Sequence, residues 1–394
     1  MLRRQLKTFA VLSLVFPILF VGVLLMTSAN SAVRASGGDE PAGHKGWRLV
    51  EGVTYENLTI FPVLASKQPD TGGFATLDEA LASGDAVVTE QGNYLRRTRD
   101  GVAEPLPQGG SAQVNQLVLV NRGKKPLILL AGEVVSGGKQ DRIIGKDRIV
   151  PAGAPPLPLS VFCVERGRWT DVSASFSAAK MMAHPSVREK AAVEQDQSQV
   201  WASVRSGTTY QAMRAPSASG GASGAASAAP APAVSSRELD AVIASVAPTE
   251  SYPKMMQSGR VGASAENLAE QMQRRFERAT RDLKGERVIG VVVAFGGEVA
   301  WSDVFASSEL FDTYWPKLLR SYAVEAVMRP PTRENASLDD ARDFIRPAVG
   351  HSKEETDPGV YRWREIIVGR TTEIELESLS PSTMTLHWLR VTRS

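Results

Sequence analysis

The stretch with the clearest chemical potential is an apolar run that contains one carboxylate and ends in a polar cluster. The run is Leu127–Val135, its carboxylate is Glu133, and the cluster is Lys139–Arg142. Such a run is typical of a strand buried on both faces, where an ionised group is costly unless it is paired or faces a cleft. We therefore expect Glu133 to have a cationic partner, and Lys139 and Arg142 are the nearest cations in the sequence.

A pair of glycines, Gly137 and Gly138, joins the apolar run to these cations and favours a sharp bend. Backbone N–H groups at such a bend can form an anion-binding nest, with Lys139, Gln140 and Arg142 as further ligand contacts. The five residues are our ligand-binding candidates. The alternative is a structural network of salt bridges and hydrogen bonds that pins a strand bend. The spacing is not that of a P-loop, which argues against nucleotide hydrolysis by that device.

Three carboxylates are candidates for acid–base catalysis: Glu133, Asp141 and Glu165. If the strands that carry Glu133 and Glu165 are neighbours, the two carboxylates could face one cleft, as in glycoside hydrolysis. Sequence alone does not supply their separation. Glu165 belongs to a second polar concentration, most of which we expect to be solvated rim groups. Its members are Asp147, Arg148, Glu165, Arg166, Arg168 and Trp169.

Other catalytic motifs are weaker. Ser177 and Lys180 form a Ser-x-x-Lys pair at a predicted helix start, but the partner motifs of penicillin-recognising enzymes are missing from the sequence. Four scattered histidines and one cysteine give no metal-ligand spacing, so we expect neither a metal nor another cofactor. The single cysteine, Cys163, lies among strand-forming residues and is expected to be a buried, unreactive thiol.

Several segments together resemble a known family. They are 57–63, 76–81, 114–151, 161–169 and 310–326, and the most specific part is Ala131–Arg142. On these residues the chain resembles the ARG and Rhodanese-Phosphatase-superfamily-associated protein domain, a bacterial family without an established activity. The resemblance covers most of the chain after residue 56, and the family's name implies at most a phosphorylated-sugar context.

The amino terminus has the character of an export signal. Three basic residues precede the uncharged apolar run Phe9–Met26, and small residues follow up to Ala35. The run is also close to the minimum length of a spanning helix, so an uncleaved anchor is the alternative. Removal of residues 1–35 would take away four of the 45 basic residues and none of the 43 acidic ones, which leaves a net charge of −2. A nucleic-acid partner is not indicated, and membrane contact is expected only through an uncleaved amino terminus.

The remaining patterns predict an α+β fold in a chain of 394 residues. Strand-like runs dominate from Leu58 to Glu165 and predict a β-rich half with a mostly antiparallel or mixed sheet. These runs include 127–135 and 142–149, and residues 121–126 predict a tight hairpin before the first of the two. Central helices are predicted over 175–182, 187–204 and 264–284. A β-hairpin over 288–304, an amphipathic helix over 310–328 and strands to 391 complete the order. The predicted core face of that helix consists of Phe311, Trp315, Leu318, Leu319 and Tyr322. We predict a tether over 36–46 and one domain over 47–394, with 215–236 a disordered Ala/Ser/Gly/Pro-rich insertion.

These observations favour an exported globular binding module for a small polar or anionic ligand, or for a protein partner. A hydrolase acting on a phosphorylated or glycosidic substrate is the first alternative, and a structural module of the cell envelope is the second. A concave pocket formed by the candidate residues would favour a ligand site or an enzyme. Pairing of these groups only with one another would favour the structural role.

The export signal yields the first prediction, which is that the mature chain starts near Ser36. The succession of basic, apolar and small residues before that position is the pattern of a cleaved signal. Mass spectrometry of the protein recovered from its host measures the terminus. Recovery of Met1–Ala35 in a membrane fraction would show an anchor instead.

Overall fold

The computed structural model describes residues 46–90, 93–97, 103–107, 115–165, 172–204, 252, 256, 259–330 and 332–393. The predicted export segment, the tether up to residue 45 and the predicted insertion over 215–236 lie outside these residues. Within them, no helix is both long enough and apolar enough to cross a membrane.

The described residues form an α+β fold, as predicted. The strands before residue 190 are β1 (Trp47–Leu49), β2 (Val53–Tyr55), β3 (Leu58–Ala65), β4 (Ala75–Thr76), β5 (Ala86–Glu90), β6 (Asn93–Arg97), β7 (Ala103–Pro107), β8 (Gln116–Asn121), β9 (Leu127–Leu129), β10 (Glu133–Gly137), β11 (Arg142–Ile144), β12 (Arg148–Val150), β13 (Leu157–Cys163) and β14 (Phe176–Met182). The later strands are β15 (Arg287–Phe295), β16 (Glu298–Phe305), β17 (His351–Asp357), β18 (Tyr361–Val368), β19 (Thr371–Ser378) and β20 (Met384–Thr392).

Two large β structures organise the molecule. An antiparallel sheet has the order β1-β3-β15-β16-β20-β19-β18-β17, with β2 also paired to β3. A closed barrel has the order β10-β11-β13-β8-β5-β14, and its pairs are antiparallel. A three-stranded sheet, β12-β9-β4, contains the parallel pair β4–β9, and β6 pairs with β7. In the large sheet β3 pairs with β15, which lies far along the chain, so the pairing is strongly non-local.

The helices are α1 (Leu77–Ser83), α2 (Pro185–Glu189), α3 (Gly259–Ala279), α4 (Ser308–Met328) and α5 (Leu338–Phe344). A π-helical turn, Lys190–Glu194, follows α2, and residues 197–204 are also helical. Thr76 caps α1 in a capping box with Glu79, and the Ser307 hydroxyl accepts a hydrogen bond from Leu310 N at the start of α4.

Helix α4 supplies much of the core between the sheet and α3. Its predicted core face is confirmed, because the five members of that face are buried: Phe311, Trp315, Leu318, Leu319 and Tyr322. Trp315 packs on Phe276 of α3 with ring centroids 4.6 Å apart, and its Nε1 donates to Gln273 Oε1 at 2.7 Å. This helix therefore combines apolar packing with specific polar contacts.

Two predicted long strands are each divided in the structure. Residues 127–135 form β9 and β10, which belong to different sheets, and the break includes Gly132 with a φ of +99°. Residues 142–149 likewise divide into β11 and β12. The predicted hairpin over 121–126 is wrong for the same reason, because β8 lies in the barrel while β9 lies in the three-stranded sheet. Continuous hydrophobicity does not reveal where a buried strand changes sheets.

The predicted helix over 175–182 is wrong, because these residues form strand β14. This strand closes the barrel between β10 and β5, so tertiary pairing overrides a helix-forming composition. The predicted helix over 187–204 is interrupted after the π-helical turn, where Gln195 has a φ of +51°. The central helix expected over 264–284 spans Gly259–Ala279, and strand β17 was not predicted.

The core role of α4 predicts the cost of truncating its buried face. Leu318→Ala should lower the free energy of unfolding by about 2–5 kcal/mol, because a fully buried leucine leaves a cavity. Arg320→Ala is the matched control, since Arg320 is exposed and its bridge to Glu266 lies at the surface. That change should cost less than about 1 kcal/mol. Denaturant titration measures both, and equal costs would contradict this packing.

Candidate functional site

The break between β9 and β10 is a turn whose backbone groups are held individually by buried side chains. Glu133 Oε2 accepts from Leu130 N at 2.7 Å, and Asp147 Oδ1 accepts from Ala131 N at 2.7 Å. Arg188 Nε donates to Ala131 O at 2.7 Å. The turn is also joined to β11 through Gly132 N, which donates to Ile144 O at 2.8 Å. Its conformation is therefore defined by charged groups from separate parts of the chain.

Gly132 fits this turn for two physical reasons. Its φ of +99° is a conformation that favours glycine. A Cβ at this position would also lie 2.6 Å from Arg188 Cγ, which is closer than packed atoms allow. The Ala131-Gly132-Glu133 sequence therefore combines a close approach of Arg188 with a carboxylate that satisfies the turn.

Arg188 connects this turn to a buried cluster around Asp303 of β16. Its Nη1 donates to Asp303 Oδ2 at 2.9 Å, and its Nη2 lies 2.7 Å from Oδ1. Trp301 Nε1 donates to Oδ2 at 2.8 Å, and the Tyr322 hydroxyl donates to the same oxygen. Burial would raise the pKa of Asp303, but Arg188 and His387 outweigh it and hold this pKa well below its usual range. Asp303 is therefore an anion in the folded protein.

His387 of β20 lies between two carboxylates. Its Nδ1 is 2.6 Å from Asp147 Oδ2 and its Nε2 is 3.0 Å from Asp303 Oδ1. Burial alone would lower the pKa of His387, but the two carboxylates raise it to about 9. The imidazolium form can donate to both neighbours. His387 thus links the carboxylate that holds Ala131 N to the carboxylate that holds Arg188.

Helix α2 places Arg188 because its start is attached to Glu325 of α4. Ser186 N donates to Glu325 Oε2 at 3.0 Å and Ser186 Oγ donates to Oε1 at 2.6 Å. His184 Nδ1 lies 2.6 Å from Glu325 Oε2. Burial would raise the pKa of Glu325, but the contact with His184 leads the effects that bring this pKa below its usual range. Two buried carboxylates, on β16 and α4, therefore determine the position of α2.

The partner of Glu133 differs from the prediction. Glu133 Oε1 bonds Lys317 Nζ of α4 at 2.7 Å, rather than Lys139 or Arg142. Lys317 Nζ also bonds Asp78 Oδ2 of α1 at 2.7 Å. The prediction of a paired and buried Glu133 is confirmed, since only 1% of the residue is exposed. The cation comes from 184 positions away because α4 folds across the β9–β10 turn.

Lys317 shares its ammonium between two carboxylates, so it does not fully offset the cost of burying the ionised Glu133. Burial, the largest effect, raises the pKa of Glu133, and together with Asp78 it outweighs the opposing contact with Lys317. Burial would lower the pKa of Lys317, but Glu133 and Asp78 together raise it. Lys317 is therefore a charged group that joins α4 to β10 and α1.

The Gly137–Gly138 bend presents its N–H groups to acceptors of the chain itself. Gly137 N donates to Asp141 Oδ1 at 3.1 Å, and Gly138 N donates to Ser173 Oγ at 3.1 Å. Lys139 N donates to Glu90 Oε1 at 3.0 Å. The nest predicted for an anionic ligand is thus occupied by two carboxylates and a hydroxyl of the protein.

The other predicted site residues are buried beside this bend. Asp141 N donates to Glu165 Oε2 at 3.4 Å, and Gln140 Nε2 donates to Glu165 O at 2.9 Å. Arg142 Nη2 lies 3.9 Å from Glu90 Oε1. At most 6% of Gln140, Asp141, Arg142 or Glu165 is exposed. The arrangement resembles the structural network that we named as the alternative to a ligand site.

Cys163 is buried, as expected, and its Sγ lies 2.9 Å from Gln140 Oε1. Burial raises the pKa of this thiol and disfavours the reactive thiolate. The Ser177–Lys180 pair lies on strand β14 instead of at a helix start. Within the described residues, no group of three or more His, Cys, Asp or Glu side chains could hold a metal ion.

The candidate catalytic carboxylates have different polar partners. Glu133 contacts Lys317 and Leu130 N, whereas Glu165 contacts Asp141 N. Asp147, expected at a solvated rim, is instead 1% exposed and bonded to His387. Of the same predicted group, Arg166, Arg168 and Trp169 lie outside the described residues.

Sequence reasoning did not find Lys317, Asp303, Arg188 or His387 as members of this network. One signal was present, because Lys317 interrupts the apolar face of α4 between Tyr314 and Leu318. A cation on the buried side of an amphipathic helix requires an anionic partner. Asp303 and His387 gave no comparable signal, since single polar residues in strands are most often exposed.

A pocket of about 350 Å³ lies between α1 and the start of α4. We call it the α1–α4 pocket, and its polar lining residues are Thr71, Thr76, Glu79, Ser83, Asp85, Lys125, Glu309 and Thr313. Its apolar surface includes Phe74, Ala80 and Leu310. The pocket is one helical turn from Lys317 along α4 and next to Asp78 on α1. None of the ligand-binding residues predicted from the sequence contributes to its lining.

The family comparison is unambiguous. The model of the ARG and Rhodanese-Phosphatase-superfamily-associated Protein domain matches residues 46–391, which is most of the chain. The protein therefore belongs to this family, as the sequence resemblance indicated. Neither the search of curated proteins nor the search of solved structures found a match.

Removing the cation beside Glu133 should destabilise the fold in a pH-dependent way. Lys317→Met leaves a buried carboxylate unpaired and should cost about 3–5 kcal/mol near neutral pH. With its raised pKa, Glu133 binds protons in the folded state that an unfolded glutamate, with a pKa of about 4.3, has released. The contribution of Glu133 to stability therefore falls as pH rises from the unfolded pKa toward the raised folded pKa. Loss of Lys317 should raise this pKa further, so the destabilisation should be larger at about pH 7.5 than at about pH 5.

Denaturant titrations at both pH values measure this effect. Lys124→Met is the matched control, because Lys124 is exposed, and it should cost less than about 1 kcal/mol. Adding Glu133→Gln to Lys317→Met should recover part of the loss, since it removes the unpaired charge. A pH-independent loss, or none, would contradict a buried Glu133–Lys317 pair.

Proposed function

We propose that this protein is an exported binding module for a small polar ligand, and that the α1–α4 pocket is its binding site. The observation that carries the proposal is the bond between Lys317 and both Asp78 and Glu133, which joins the two helical walls of the pocket to the buried turn. Export is supported by the basic and apolar character of residues 1–35.

The lining determines the chemistry of the ligand. Three carboxylates, those of Glu79, Asp85 and Glu309, line the pocket together with one ammonium, that of Lys125. Lys125 already donates to Gly72 O at 2.7 Å, while Glu79 Oε2 accepts from Thr76 and Asp85 Oδ2 accepts from Ser83. This excess of acceptors favours a ligand that carries hydroxyl and ammonium donors over an anion. The pocket volume is in the range of small-molecule sites. We therefore favour a cationic or neutral hydroxylated compound such as an amino sugar.

The rim of the pocket is held by contacts with the start of α4. Thr71 Oγ1 lies 2.6 Å from Ser307 Oγ, and Gln68 Oε1 accepts from Ser308 N at 2.7 Å. With the Lys317–Asp78 bond behind it, the pocket is supported on both sides before a ligand arrives. A preformed site loses less conformational entropy on binding than one that must be ordered.

A hydrolase is less well supported. Its candidate carboxylates, Glu133, Asp141 and Glu165, are at most 5% exposed and bond groups of the chain itself. A general acid or base must lie within hydrogen-bond reach of a substrate. We assign these residues a positioning role, in which they hold the turn and the helices around the pocket.

A second pocket, of about 420 Å³, gives weaker support for a ligand site. It lies between strands β2–β3 and helix α5. Two of its charged residues, Arg342 and Asp339, already bond each other at 2.9 Å and are exposed. The α1–α4 pocket, whose helical walls are joined to the buried turn through Lys317, is the stronger candidate.

Thermal-shift titration of the full-length protein with glucosamine, glucose and inorganic phosphate tests the proposal. Glucosamine should give the largest saturable rise in Tm, because its ammonium and hydroxyl groups match the acidic lining. A ligand at 100 times its Kd stabilises the folded state by about 2.7 kcal/mol. Phosphate should give no saturable rise.

Thr313→Trp should abolish the glucosamine response, because Thr313 is an exposed residue of the lining and a tryptophan there would fill the pocket. Asp312→Trp is the control, since this neighbouring exposed residue lies outside the lining. A response to phosphate alone, or an unchanged response in Thr313→Trp, would count against the assignment. If none of the three probes raises Tm, the assignment is also contradicted.

A further inference from the structure

Strand β17 forms an open edge of the large sheet. Its seven residues pair with β18 without a register shift, and no strand in the described part of the chain pairs with its other side. Six of the seven are exposed. The strand carries charged side chains, which oppose pairing with most other strands, but it contains neither proline nor a bulge, the backbone features that block pairing at an edge. Its outer N–H and C=O groups are therefore suitable for another strand.

The charges of this strand are self-complementary. The sequence from His351 to Asp357 is His-Ser-Lys-Glu-Glu-Thr-Asp. When the strand is turned antiparallel against itself with Glu354 at the centre, Lys353 faces Glu355 and His351 faces Asp357. Each contact occurs twice because of the two-fold symmetry. Opposite charges that face each other across strands stabilise a sheet, whereas like charges destabilise it.

We propose that β17 is a dimerisation edge that pairs antiparallel with β17 of a second copy of this chain. The pairing would continue the large sheet across a two-fold axis at Glu354. This partner is independent of the ligand proposed for the α1–α4 pocket. It gives the acidic and basic residues of the edge a role in selecting the partner and the register.

The alternative registers are less favourable. A two-fold axis perpendicular to the sheet keeps each side chain on its own face, so the register changes in steps of two residues. Centring on Lys353 opposes two lysines. Centring on Glu355 opposes two glutamates, each of which contacts Lys146 and Lys353 of its own copy. Centring on Glu354 also opposes two glutamates, and Glu354 Oε2 of each copy lies 3.7 Å from its own Arg364 Nε. The number of residues that pair therefore separates these two registers. Only the register centred on Glu354 pairs all seven residues.

Two exposed apolar side chains accompany the edge. Among the described residues, the large apolar side chains with high exposure are Val172, Val349 and Val368. Val349 precedes β17 and Val368 ends β18, so both lie at the His351 end of the edge. A second copy would cover part of this apolar surface. The interface remains small and charged, so the dimer should be weak and salt-sensitive.

Sedimentation velocity of the full-length protein across a concentration series tests the pairing. Wild type should dimerise, and Lys353→Glu or Glu355→Lys alone should weaken dimerisation by about tenfold or more, because like charges then face each other. An equal mixture of the two variants should associate again, since each altered residue meets its complement. Arg274→Glu on α3 also replaces an exposed cation by an anion, as Lys353→Glu does, and it should leave the dimer intact. A monomeric wild type, or variants that dimerise as wild type does, would overturn the proposal.

Cross-linking gives a measurement that does not depend on charge. Glu354→Cys places two cysteines opposite each other at the axis, so mild oxidation should give a covalent dimer. Ser352→Cys is the matched control, because it faces Thr356 and would lie about 13 Å from its own copy. Native Cys163 is buried and should not react. Equal cross-linking of both variants, or none with Glu354→Cys, would exclude this register, and circular dichroism checks that each variant is folded.

Discussion

The structure depends on the turn between β9 and β10, where a buried chain leaves one sheet and enters another. A strand that changes sheets inside the core leaves backbone groups that water cannot reach, and each needs a partner. Glu133, Asp147 and Arg188 supply those partners at 2.7 Å each. Buried charges are costly, so each of the three is itself compensated by another group. The requirement to satisfy one turn thereby extends through the molecule.

The compensation connects the two large β structures. Asp303 and His387 belong to the large sheet, and Glu133 begins a barrel strand. Arg188 and Asp147, which hold the turn, bond Asp303 and His387 respectively. Removing one charged member would leave its buried neighbours with fewer partners. The barrel and the sheet are therefore joined by interactions that depend on one another and not by apolar contact alone.

The same network reaches the surface at the α1–α4 pocket. Lys317 bonds Glu133 on its buried side and Asp78 on the side of α1, where 25% of the Asp78 side chain is exposed. Under the proposed binding function, residues with no access to a ligand would act through this arrangement, by holding α1 and α4 in place. The Ala131-Gly132-Glu133 segment defines the turn, and the turn fixes Lys317 between the helices. The run Ala131–Arg142, by which the sequence most resembles the family, does not line the proposed site but is joined to it through Lys317.

The sequence by itself determined the α+β class, the core face of α4 and the need of Glu133 for a buried cation. These features follow from local periodicity and from the cost of desolvating a charge, which neighbouring residues reveal. Only the tertiary structure decided that the cation is Lys317, that 175–182 is a strand, and that the Gly137–Gly138 bend binds carboxylates of the chain. Each of these outcomes is a contact or pairing whose energy depends on which distant segment is brought close, and local sequence carries no measure of that distance.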